Sequence, residues 1–88
     1  MNTVLKEKYF IPIMLFLLNY GEVMKHNFLA IVKSPSTLDK LLRELQEEGL
    51  ISIREQFDGR RIIKVRLSSK GEKIAKVLLK VLDLMTEN

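Results

Sequence analysis

Residues 34–48 read Ser-Pro-Ser-Thr-Leu-Asp-Lys-Leu-Leu-Arg-Glu-Leu-Gln-Glu-Glu. Leu38, Leu41, Leu42 and Leu45 recur at i, i+3, i+4 and i+7, the period of a helix with one buried face. With those four turned inward, Ser36, Thr37, Lys40 and Arg43 fall outward on the N-terminal half. Two hydroxyls and two cations along one edge offer hydrogen-bond donors and positive charge, the chemistry that meets an anionic, hydrogen-bonding surface. A second group of cations lies downstream. Residues 49–67 hold five basic and two acidic side chains, the basic ones being Arg54, Arg60, Arg61, Lys64 and Arg66. The whole chain carries +4 at pH 7, a balance that suits a polyanionic partner.

Other chemistries find little support. The chain has no cysteine, which removes disulfides, thiolate catalysis and Cys-based metal sites and fits a reducing compartment. His26 is the only histidine and has no clustered carboxylates at ligand spacing, so it reads as a structural residue and no metal is expected. There is no Gly-rich phosphate loop, no nucleophile elbow and no acid–base pair set by a motif, so neither an enzyme nor a cofactor is expected. The four methionines and Phe10, Phe16 and Phe28 read as core filling, which leaves no effector pocket to name. The longest apolar run, Tyr9 to Leu18, is ten residues, about half of the ~20 that a membrane-crossing helix needs. Asn19-Tyr20-Gly21-Glu22 lacks a small-x-small cleavage pattern. A cytoplasmic protein with no membrane partner is the expectation.

The elements that must position these side chains follow from punctuation and period. Eighty-eight residues make one domain with a thin core, for which help from a partner subunit is plausible. Residues 4–20, apolar nearly all round at their centre, predict a central core helix closed by Gly21, with Pro12 in its first turn or at a kink. Residues 22–33 are compatible with a short second helix. Ser34 as cap and Pro35 at the first helical position start the leucine-faced helix, and Gly49 ends it. Residues 51–57 and 60–67 alternate in polarity and predict a hairpin. A three-residue loop, Phe57-Asp58-Gly59 with Gly59 left-handed, pairs Ile53 with Ile63, Ile51 with Val65 and Glu55 with Arg61. Arg60 then lies at the tip, and Arg61 is free either to pair with Glu55 or to reach out. Ser69 and Glu72 resemble a capping box opening a helix to Thr86. Its stripe of Ile74, Val77, Leu78, Val81, Leu82 and Met85, widened by Ala75, Leu79 and Leu84, exceeds what one small domain covers.

Helix, helix, turn, capped helix, ribbon, helix is the order of a winged helix-turn-helix: mainly α, with a three-helix core, a two-stranded wing and a C-terminal helix. Ser34-Pro35-Ser36-Thr37-Leu38, Leu41-Leu42-Arg43-Glu44-Leu45-Gln46-Glu47-Glu48-Gly49-Leu50-Ile51, Asp58-Gly59-Arg60-Arg61 and Leu67-Ser68-Ser69-Lys70-Gly71 resemble the signature of small winged-helix transcription regulators of the MarR and PadR kind. The resemblance covers roughly residues 10–75. It implies a recognition helix at 35–48 in the major groove of double-stranded DNA and a wing at 51–67 touching backbone or minor groove. It implies DNA contacts from Ser36, Thr37, Lys40, Arg43, Arg60 and Arg61, with Lys64 and Arg66 behind them. The turn before Ser36 is shorter than is usual there, which implies a tighter turn and a differently placed second helix. Asp39, Glu44, Glu47 and Glu48 make the recognition helix net negative, and Asp39 would either accept from a cytosine amino group or repel a phosphate. The excess apolar surface of residues 69–86, with Leu79, Leu82 and Met85 foremost, implies a homodimer with two recognition helices about one DNA turn, ~34 Å, apart. The rival is the same fold as a protein-docking module in a transcription or replication complex.

Overall fold

The computed structural model describes residues 6–87. Helix α1 (Phe10–Tyr20) buries Phe10, Ile13, Met14 and Leu17. Pro12 is its third residue, where the N–H has no intrahelical partner to lose. The expected start at residue 4 is not met. The segment from Lys6 to Tyr9 is not α-helical, and residues 4–5 lie outside the described residues.

The second helix expected over 22–33 is replaced by two elements. Gly21 adopts φ +78°, and the chain leaves extended as β1 (Val23–Met24), which pairs antiparallel with β3 (Arg61–Leu67). A 3-10 helix (Lys25–Ala30) follows, and Asn27 Oδ1 accepts from the Met24 N–H at 3.0 Å. Strand pairing thus satisfies groups that a longer helix would have bonded internally. Phe28 and Val32 are still buried, as their apolar character requires.

Helix α2 (Pro35–Glu47) follows its sequence signals closely. The Thr37 N–H donates to Ser34 Oγ at 3.4 Å, Pro35 sits at the first position, and Leu38, Leu41, Leu42 and Leu45 are all buried. The wing is β2 (Ile51–Phe57) with β3, in a sheet ordered β1-β3-β2. The expected faces are right but the register is not. Ile51 pairs with Leu67, Ile53 with Val65, Glu55 with Ile63 and Phe57 with Arg61. The loop lies one residue later than expected, at Asp58-Gly59-Arg60 with Gly59 at φ +72°, which moves each partner by two. Moving a partner by two preserves every side chain's face, so the apolar pattern alone could not separate the two registers.

Helix α3 (Ser69–Met85) is capped by Ser68 rather than Ser69. Ser68 Oγ accepts from the Gly71 N–H at 3.0 Å and donates to the Gly49 carbonyl at 2.6 Å, while the Ser68 N–H donates to the Leu50 carbonyl at 2.9 Å. Lys70 Nζ donates to the Glu48 carbonyl at 3.0 Å. The exit of α2 and the entry of α3 are therefore tied together, and that tie selects Ser68. Gly71 and Ala75 are buried, Ile74 and Leu78 are half-buried against the core, and α3 packs on α1. Val77, Leu79, Val81, Leu82, Leu84 and Met85, part of the apolar surface expected to exceed what one domain covers, are exposed on this chain.

Candidate nucleic-acid interface

Helix α2 turns four leucines into the core and leaves Ser36, Thr37, Lys40 and Arg43 exposed. Ser36 Oγ lies 3.1 Å from Ser34 Oγ, so one hydroxyl hydrogen at this helix start is already engaged locally. The Lys40 side chain is 67% exposed, and its nearest carboxylate oxygen, on Glu44, is 4.0 Å away. An exposed pair at that distance holds a side chain only weakly, so Lys40 can leave Glu44 for another anion. Arg43 makes no ion pair among the described residues.

Facing this helix is the wing. Alternation along its strands places Ile51, Ile53, Glu55 and Phe57, with Leu67, Val65, Ile63 and Arg61, on the side toward α2. Ser52, Arg54, Lys64 and Arg66 fall on the other side. Arg61 Nε donates to Glu55 Oε1 at 2.7 Å, so the cross-hairpin pairing of these two forms although they are not directly opposite in register. Arg60, in the loop, is exposed and makes no ion pair among the described residues. Arg54 is held by Glu22 at 2.9 Å, which ties the wing's far side to the end of α1.

A groove separates α2 from the wing. At its outer end a cleft of about 350 Å³ is lined by His26, Leu29, Pro35, Arg60, Arg61 and Ile62, among others. Beside it, a hollow of about 250 Å³ is lined by Arg43, Gln46, Ile53 and Ile63. Lys25 and Asp39 line both. Of the sequence-predicted side chains, Arg43 of the helix and Arg60 and Arg61 of the wing line these two adjoining hollows, whereas Ser36, Thr37 and Lys40 line neither. Lys64 and Arg66, the second-rank candidates, belong to the strand side turned away from α2.

Asp39 forms an ion pair with Lys25, from the 3-10 helix. Its carboxylate is met within the fold, so the edge carrying Lys40 and Arg43 is more positive than the helix sequence suggests. Lys25 escaped the sequence reading because the two residues approach only through the turn between them, and no local spacing signals that contact.

Among the described residues no group of His, Asp or Glu is placed to hold a metal ion, and no helix is long and apolar enough to cross a membrane.

Solved structures share this arrangement. A transcriptional regulator homologue from Pyrococcus horikoshii OT3 superposes with a TM-score of 0.80 at 24% identity, covering 93% of this chain and 83% of its own. A transcriptional regulator assigned to the MarR family from Porphyromonas gingivalis W83 gives 0.78 at 18% identity, covering 98% and 85%. The fold is a winged helix. ZitR from Lactococcus lactis, a longer protein, gives 0.71 at 23% identity over 85% of this chain and 57% of its own. No protein-family model and no curated protein matches the sequence. At these identities the likeness establishes the winged-helix fold, with β2-β3 as its wing.

Proposed function

We propose that this winged helix binds double-stranded DNA sequence-specifically as a homodimer and regulates transcription. Helix α2 enters the major groove, and the wing lies on backbone or minor groove. One observation carries the reading: Arg43 of α2 and Arg60 and Arg61 of the wing line adjoining hollows between helix and wing, and Ser36, Thr37 and Lys40 are exposed on that same helix. Ser36, Thr37, Lys40 and Arg43 are the candidates for base edges and nearby phosphates, and Arg60 and Arg61 for the backbone. The transcriptional regulators from P. horikoshii and P. gingivalis support this use of the fold. The homodimer reading rests on α3, whose C-terminal half leaves Leu79, Leu82, Leu84 and Met85 uncovered on one chain. A second copy laid along them buries apolar surface and presents two copies of α2 to successive turns of the duplex.

A fluorescence-polarisation titration on a random-sequence duplex at two salt concentrations tests the reading. Binding should be steeply salt-dependent, and Lys40→Ala with Arg43→Ala should weaken it. Arg60→Ala should weaken it on all sequences alike and flatten the salt slope by about one. Absence of binding at low salt would overturn the proposal in favour of protein docking.

A further inference from the structure

Charge explains most of the wing, but not Phe57. The ring is 76% exposed at the last position of β2, directly opposite Arg61 and next to the Asp58-Gly59-Arg60 loop. Along its row on the α2-facing side, Ile51 is buried, Ile53 half-buried, and Glu55 and Phe57 exposed. The hairpin thus leaves the body near Ile53, and Phe57 lies four residues further out, about 13 Å at the strand rise. Nothing in the described chain covers it. An aromatic side chain held in water at a ribbon's end contributes nothing to this fold's core.

We infer that Phe57 is an apolar wedge that the wing sets into the minor groove of duplex DNA, where it partly unstacks a flexible base step. The inference rests on the DNA-binding reading above. It is favoured over an apolar protein pocket by the ring's surroundings. Arg60 and Arg61 adjoin it, Glu55 is already occupied by Arg61, and Asp58 is the one other acidic neighbour at the ribbon's end. An apolar group flanked by two arginines complements a strip of base pairs between two rows of phosphate. The groove is ~6 Å wide and admits a thin hairpin end better than a helix. Large apolar side chains entered there bend the duplex, and pyrimidine–purine steps yield most easily. Phe57 would then supply sequence preference that the arginines cannot, because phosphate contacts carry no sequence information.

Parallel selections from a random duplex pool with the wild-type chain, Phe57→Ser and Phe57→Leu test this. The wild type and Phe57→Leu should enrich a pyrimidine–purine step at a fixed distance from the bases read by α2, and Phe57→Ser should not. On the wild-type winner, Phe57→Ser should bind about tenfold more weakly with an unchanged salt slope, since no charge is removed. Energy transfer between dyes at the duplex ends should report a bend with the wild type and a straighter duplex with Phe57→Ser. Because the ring is exposed, both variants should melt with the wild type. Equal enrichment, affinity and bend for Phe57→Ser overturns the wedge while leaving DNA binding intact. A change in sedimentation for Phe57→Ser instead assigns the ring to a subunit contact and also overturns it. A wild type that binds no duplex at low salt overturns the wedge and the DNA reading together.

Discussion

Alanine at position 71 would place a methyl carbon 1.9 Å from the Leu50 carbonyl oxygen, 2.9 Å from that carbonyl's carbon and 3.2 Å from Leu67 Cδ2. Two of the three atoms are backbone, so no side-chain rotation relieves the contact. The start of α3 and the β2 entry must part by about 1 Å or more, and such overpacking costs about 1–3 kcal/mol or somewhat more. Parting also stretches the Ser68 N–H bond to Leu50 and the Ser68 Oγ bond to Gly49, each worth about 1 kcal/mol. Against this stands the better helix propensity of alanine, at most about 1 kcal/mol. The net expectation for Gly71→Ala is a loss of about 2–4 kcal/mol. For a domain of this size that lowers the melting midpoint by about 10–20 °C, measurable by circular dichroism at one fixed protein concentration. Helix propensity alone predicts the opposite sign. A variant that melts at or above the wild type would therefore refute the close-approach reasoning, with Lys73→Ala on the exposed side of α3 serving as the unstrained control.

Asp39→Asn removes a carboxylate beside the groove and releases Lys25. Random-duplex binding at low salt should tighten and its salt slope steepen by about one, with stability changed by less than about 1 kcal/mol because both side chains are partly exposed. A slope equal to the wild type in polarisation titrations would show that Lys25 does not reach the duplex. Leu82→Glu sets a charge in the proposed pairing surface, and sedimentation should report the 10.2 kDa single chain where the wild type gives twice that mass. A wild type already single at tens of micromolar would remove the homodimer.

Helix α2 was legible because all its signals are local. Ser34 and Pro35 fix its start, the leucine phase fixes its inward face, and the outward positions of Lys40 and Arg43 follow from that phase. Gly59 was legible for the same reason, since the three-residue loop needs a residue at positive φ. The parts that were not legible depend on distant partners. Ser68 and Ser69 are equivalent as caps until the carbonyls of Gly49 and Leu50 choose one. Val23 and Met24 become a strand only because β3 presents an open edge some forty residues later. The hairpin register escaped because a two-residue step leaves the polarity pattern unchanged. At the site, the cations themselves could be named from the sequence. The neutralising contact between Lys25 and Asp39 required the turn to be folded first.

The bonds from Ser68 and Lys70 onto the Gly49 and Glu48 carbonyls, just past the end of α2, have a mechanical consequence. Helix α2, the wing and the α3 rod meet at this tie, so a tilt of one pulls on the others. In a two-copy assembly the rods would act as levers, and a few degrees of rotation where they cross would change the stride between the two reading heads. Control over which sites are occupied could then be exercised from the far end of the molecule, without any ligand touching the residues that meet the bases.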